Sequence, residues 1–249
     1  MKSEISKSAL VCMATRSLMI QARWNQVGMQ NQGFMYAIMP GLREIYDDDE
    51  ALMKSAACHE EPFNTHPYLA PVIIGATLNM EENGVPKNRI ATMKRSAMGI
   101  LGSLGDPFFW AAAAPLASAL AALFAVMFNP WAGLLVFFAL YGYYELPVRS
   151  GGLFLGYRMG EKAVALVARR LSARRAGPIR ALAAFAAGIL LPVASARYSA
   201  STGTGIAVIV VTGLLALAGA EVVRRQWITA PALLVFSIAG AVGAFLWME

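Results

Sequence analysis

The sequence predicts an all-α integral membrane protein, and three observations carry that prediction. Of 249 residues, 57% are hydrophobic and only 14% charged, where a soluble domain carries about 25% charged residues. Mean hydropathy is +0.53. Apolar stretches in the second half of the chain reach spanning length, with basic residues gathered between them. A net charge of +6 would point to nucleic acid in a soluble chain; here it follows the positive-inside pattern, which argues against a nucleic-acid partner. Cys12 and Cys58 lack metal-ligand spacing, so neither a metal centre nor a disulfide scaffold is expected. The first apolar stretch, ALVCMA, is too short for a cleavable signal and is followed by Arg16 and Arg23. No internal repeat is visible.

The chain divides into three parts: an amide-rich helical segment (1–46), a polar helix with two interrupted apolar segments (47–110), and a run of membrane helices (111–249). Residues 1–15 read as a weakly ordered or amphipathic lead. From 15 to 39 the pattern is that of an amphipathic helix, with Gln21, Asn25, Gln26, Gln30, Asn31 and Gln32 where a lipid-facing helix would carry Leu. Such a helix lies at the interface or packs on the bundle; alternatively some of its amides face a polar cavity, because buried amides need partners. Pro40 and Gly41 are expected to break it. Asp47, Asp48 and Asp49 lack the alternating spacing of a calcium loop and read as a solvated turn or helix start, followed by a short helix over 50–57.

The candidate site lies within 62–110. Two apolar runs of about 12 to 15 residues, below the ~20 of a spanning helix, are interrupted by polar residues that lipid does not tolerate. The first opens on Asn64, Thr65 and His66 and ends on Glu81 and Glu82; the second carries Asp106 between Gly105 and Pro107. Each reads as a re-entrant or broken helical hairpin, since irregular backbone at membrane depth survives only inside protein or beside a water-filled cavity. Polar residues there are functional candidates. Asn64, Thr65, His66, Glu81, Glu82 and Asp106 form the main set, with Asn25 and Gln30 as second choices. A structural reading stands beside each: Asn64 and Thr65 can cap a helix that Pro67 opens, and Asp106 can cap the turn before Pro107. Adjacent Glu81 and Glu82 do not share a helical face, so an acid/base pair is not expected, and one of them should meet water. The glycines at 99, 102 and 105 permit close backbone approach but lack the Lys-Ser/Thr of a phosphate loop.

Beyond Trp110 the segments 111–128, 131–146, 181–196, 206–222 and 229–247 read as five spans, with a tight turn at Asn129 and Pro130. Between 149 and 180, Arg149, Arg158, Lys162, Arg169, Arg170, Arg174, Arg175 and Arg180 face the lone Glu161. This excess predicts a cytoplasmic basic loop and places the C-terminus outside.

The blocks WNQVGMQNQGFMYAIMPGLREIY, FNTHPYLAPVIIGATLNMEE and MGILGSLGDPFFW, with GYRMG at 156–160, resemble the IID membrane subunit of the mannose-fructose-sorbose phosphotransferase system. The resemblance implies a permease subunit in the bacterial cytoplasmic membrane, paired with a IIC subunit in a higher hetero-oligomer. A mobile core would move sugar against a fixed scaffold. IIA and IIB partners would supply phosphate to a hexose of the mannose type or to an amino sugar. Phosphate in the family rides on His of those soluble partners, so neither His59 nor His66 is expected to accept it, and no cofactor is implied. Ile100 stands where the family more often has Pro, and the region after Arg180 is shorter than usual. A non-transporting receptor or regulatory subunit with the same fold is the alternative. A membrane enzyme using His66 with Asp106 or Glu81 would need a nucleophile that the sequence does not arrange.

Overall fold

The computed structural model describes residues 5–171, 173–202 and 210, and every regular element among them is helical. The chain begins with α1 (Lys7–Ser17), capped by the Ser6 hydroxyl, which accepts from the Ala9 amide. α2 (Asn31–Ile45) follows a stretch of turns. The sequence predicts one helix over 15–39 broken at Pro40. Instead α1 stops at Ser17, residues 18–30 turn, and α2 runs through Pro40 to Ile45. Pro40 is tolerated because α2 is packed: Phe34, Ala37, Ile38 and Leu42 are all fully buried, and tertiary burial outweighs the lost ladder bond.

α3 (Asp49–Ala57) is opened by Asp48, whose carboxylate accepts from the Ala51 amide, so the acidic run is a helix start. α4 (Ala70–Glu82) is the core of the molecule, with every residue from Ala70 to Leu78 buried. It begins at Ala70, with Pro71 in its first turn. Asn64 and Thr65 therefore do not cap it; 62–66 is a pinned loop, and Pro67 begins a turn, closed by the Leu69 and Ala70 amides onto the His66 carbonyl, that leads into the helix.

α5 (Lys87–Gly105) continues without a break through a π-helical segment, Asp106–Ala113, into α6 (Ala114–Met127). This corrects the second expected hairpin: Gly105, Asp106 and Pro107 do not turn the chain back. Pro107 has no N–H to offer the carbonyl four residues earlier, and the wider π ladder accommodates it without ending the helix. The whole unit, Lys87–Met127, is 41 residues long and contains an apolar window of spanning length.

Asn129 caps α7 (Pro130–Met159), its side chain accepting from the Ala132 amide. α7 then passes through Pro147, so residues 149–159 are helical and not loop. Gly160, at φ 58°, turns the chain into α8 (Glu161–Arg170), and α9 (Ala173–Thr202) follows. The expected basic loop is thus the end of α7, an amphipathic helix and the start of α9. Among the described residues three helices are long and apolar enough to cross a membrane: Lys87–Met127, Pro130–Met159 and Arg174–Arg197. The expected spans 206–222 and 229–247 lie outside the described residues.

α4 and α7 pack with their backbones nearly touching. A Cβ added at Gly156 would sit 2.2 Å from the Val72 carbonyl oxygen, and one at Gly75 would sit 2.1 Å from that of Leu153. Small residues let helices approach in this way where lipid offers little hydrophobic drive. Gly156→Ala should therefore lower the protein's stability by about 1–3 kcal/mol, since backbone must move. Gly151, beside it on α7, has nothing within 4 Å of an added Cβ. Gly151→Ala should be neutral or stabilise by about 0.5–1 kcal/mol. Thermal unfolding of the two purified variants in one detergent checks the contrast.

Candidate functional site

The loop 62–66 is held by main-chain pairing that the sequence does not advertise. Asn25 closes a tight turn, its Oδ1 accepting from the Val27 and Gly28 amides at 3.1 and 2.8 Å. Met29 adopts φ 55° and pairs in β fashion with both Asn25 and Phe63. The Phe63 amide donates to the Gly28 carbonyl at 3.2 Å, and the Gln30 amide to the Phe63 carbonyl at 2.8 Å. The Gln30 side chain extends this ladder by one rung. Its Nε2 donates to the Thr65 carbonyl at 2.9 Å, and its Oε1 accepts from the Thr65 amide at 3.2 Å. Gln30 and Thr65 are both buried. The Thr65 hydroxyl donates to the Met98 carbonyl at 3.2 Å, which ties the loop to α5.

This clamp delivers His66 to α5. Nδ1 donates to Asp106 Oδ1 at 2.8 Å, because a carboxylate only accepts. The imidazole stacks on Phe109 at 4.9 Å with 7° between planes, and meets the edges of Tyr68 and Trp110. Gly105 makes the approach possible: a Cβ there would lie 2.4 Å from His66 Cβ. Burial lowers the His66 pKa below its usual value, against the opposing pull of Asp106. The neutral ring therefore leaves Nε2 as a buried acceptor without a partner among the described residues.

Around this pair lies a cleft of about 550 Å³ between the loop and α5. Asp106 (side chain 57% exposed), Asn64 and Trp110 (49% exposed) are its accessible polar and aromatic groups. Gln21 and Ser103 also line it. Of the sequence-predicted residues, the structure brings together Asn64, Thr65, His66, Asp106 and Gln30. Within that group Gln30 and Thr65 spend their polar atoms on holding the loop. Asn25 is a turn residue. Trp110, Gln21 and Ser103 were missed as site residues; the four-residue spacing of Met98, Gly102, Asp106 and Trp110 was the signal available.

Glu81 and Glu82 lie at the other end of α4, about 18 Å along its axis by helical rise. Glu81 is buried in a network of its own. Oε1 accepts from His59 Nε2 at 2.9 Å, and Oε2 accepts from the Tyr46 hydroxyl at 2.7 Å, the Ser55 hydroxyl at 3.3 Å and Lys87 Nζ. Lys94, also buried, donates to His59 Nδ1 at 3.4 Å and sits 4.5 Å over the Phe34 ring. His59 is thereby fixed as the neutral tautomer, and burial keeps its pKa low. Glu82 accepts from the Tyr157 hydroxyl at 3.0 Å and the Ile5 amide at 3.3 Å. Neither carboxylate reaches the cleft, because the intervening turns of α4 are buried on every side.

Three helices of spanning length and apolarity among the described residues, with a polar cleft beside the π-helical segment, define a helical membrane protein with a candidate binding site. The comparisons with known proteins are specific. The sequence profile described as "PTS system mannose/fructose/sorbose family IID component" matches residues 4–217, and the chain belongs to that family. It is 34% identical over 165 residues to the PTS system mannose-specific EIID component of Escherichia coli K12, covering 64% of this chain and 58% of that protein. It is 30% identical over 195 residues to the sorbose-specific EIID component of Klebsiella pneumoniae, covering 76% of this chain and 71% of that one. The match thus spans somewhat over half the length of the E. coli relative. Among solved structures, a chain titled only "Structure of membrane protein" superposes with a TM-score of 0.74 at 25% identity, covering 98% of both chains. A chain of the mannose transporter ManYZ in complex with microcin E492 superposes at 0.60 and 26% identity, covering 98% of this chain and 97% of that one.

The Glu81 network yields a stability prediction. Burial alone would raise the Glu81 pKa, but hydrogen bonds from His59, Lys87 and Tyr46 hold it at about 2 against an ordinary 4.5. A depressed carboxylate pKa stabilises the fold above pH ~4.5, and that contribution is lost as pH falls toward 2. Glu81→Gln should cost about 1–3 kcal/mol at neutral pH, because the buried carboxylate's charge-assisted hydrogen bonds are lost while Lys87, 38% exposed, can turn to water, and should flatten the acid limb. Thermal midpoints measured from pH 7 down to pH 3 for the native chain and this variant test both effects.

Proposed function

We propose that this chain is the IID permease subunit of a mannose-type phosphotransferase system. With a IIC subunit it forms the path for a hexose or amino sugar, which IIA and IIB phosphorylate on entry. Family membership over 4–217 is the observation that carries the reading. The cleft adds a physical basis for sugar recognition. Asp106 has one oxygen held by Nδ1 of His66 and the rest of an exposed carboxylate free to accept from hydroxyls. Asn64 offers both a donor and an acceptor, and Trp110 offers a face for the apolar side of a pyranose. His66 acts behind Asp106 as a positioning residue, while Gln30 and Thr65 hold the loop. The arginine excess of 149–180 supports a cytoplasmic position for that region, and with it for the Lys87–Arg95 end of α5, since Arg89 lies 3.4 Å from Glu161. On this orientation the turn at Asn129 is external, and five spans with the C-terminus outside complete the topology.

The test is radiolabelled hexose uptake, with sugar-phosphate detection, in cells lacking their own mannose permease. The chain is expressed with and without IIC, IIA and IIB. Uptake should require all four. Asp106→Asn and Asn64→Ala should each lower it about 10- to 100-fold, from a lost hydrogen bond of ~1.5–3 kcal/mol, with the complex still assembled. Normal uptake by both variants refutes the site, whereas an assembled native complex that moves no hexose favours a receptor or regulatory role.

A further inference from the structure

The second half of the fold carries an apolar cleft that the sugar path does not use. Its volume is about 390 Å³, between Val72 of α4, the Pro147–Leu155 stretch of α7, and Leu166, Val167 and Leu171 at the end of α8. Arg170 is the charged residue in that lining. Arg169 and Arg174 stand exposed beside it in sequence, and Arg175 donates to the Arg170 carbonyl at 3.3 Å, which sets a further guanidinium at the same helix end. Among the described residues none of these four arginines pairs with a carboxylate.

Gly151 also lines the cleft, and like Gly99, Gly177 and Gly188 it stands in an open part of its helix. Its neighbours Gly152 and Gly156 are explained by contact with α4, but Gly151 has open space where a Cβ would be. A glycine inside a helix disfavours that helix, and here no close backbone approach requires it. What its missing side chain does is leave the floor of this cleft open.

From the apolar walls, Arg170 in the lining and Arg175 held at the same helix end, neither paired with a carboxylate among the described residues, we infer that the α7–α8 cleft is a binding site for one anionic phospholipid. An acyl chain lies against Val148, Gly151 and Leu155, and the phosphate meets Arg170 and Arg175. The chemistry is that of a basic pocket between helices on the side where the leaflet is negatively charged. Amphipathic α8, with Ala163 and Val164 buried, provides the interfacial wall.

The full-length chain is purified in mild detergent with the membrane subunits that accompany it, stripped of lipid, and titrated with phosphatidylglycerol or phosphatidylcholine. Native mass spectrometry counts the bound lipid. One phosphatidylglycerol per copy of this chain should be retained, at least tenfold more tightly than phosphatidylcholine. Arg170→Gln with Arg175→Gln should weaken it about 25-fold, at roughly fivefold per arginine. Gly151→Leu should abolish retention while the protein stays monodisperse and folded, because a Cβ at this position has open space around it. Equal retention of the two lipids, absence of any retained lipid, or phosphatidylglycerol binding unchanged in either variant would overturn the proposal.

Discussion

A non-helical loop inside an apolar body has to satisfy its backbone polar groups without water, and the site rests on that constraint. Residues 62–66 are such a loop. Their N–H and C=O groups find partners in Gly28, Gln30 and Met98, and the Gln30 side chain imitates one more residue of a β ladder against Thr65. Without that amide, two buried peptide groups at Thr65 would lack partners, each at a cost of about 1–3 kcal/mol. The loop would then have no fixed position, and His66 no reason to meet α5. The amide-rich stretch 21–32 is the fastening of the site as much as a wall of it.

From that fastening the order of dependence runs outward. Gly105 gives His66 room, His66 orients Asp106, and Pro107 forces the helix into its wider form at the same point. Three residues in a row thus set approach, charge and backbone shape. At the other end of α4, the Glu81 network fixes α2, α3 and α5 against the same central helix. The two polar assemblies share a scaffold and do opposite things with their carboxylates: one is buried among partners, the other is left half free.

Much of this was legible in residues. Length, charge depletion and the arginine excess gave a helical membrane protein, and the FNTHP and GDPFFW blocks marked the segments that do come together. What the sequence could not carry was partnership across distance. Glu81 and Glu82 looked like site residues because carboxylates are costly in an apolar chain, but their partners His59, Tyr46 and Tyr157 lie 22, 35 and 75 residues away. Asn64 and Thr65 looked like caps because local hydrogen bonding favours that role; instead Gln30 holds the Thr65 backbone, and Met98 takes the Thr65 hydroxyl and the Asn64 amide. Local breaker rules also misled at Pro40, where burial of α2 carries the helix on, and at Pro107, where the π segment does.

The π segment has a geometric consequence for the cleft. Met98, Gly102, Asp106 and Trp110 follow one another at intervals of four, and all border the same opening. In a regular α-helix, turning about 100° per residue, such a stripe precesses by ~40° at every step. After three steps the last member would have swung well away from the first. A wider turn takes up more residues per revolution and rotates the stripe back. The helix changes gauge at the point where the stripe would otherwise leave the opening, and Trp110 stays on the same side as Asp106. Proline, commonly a helix's terminator, here works as a phase correction.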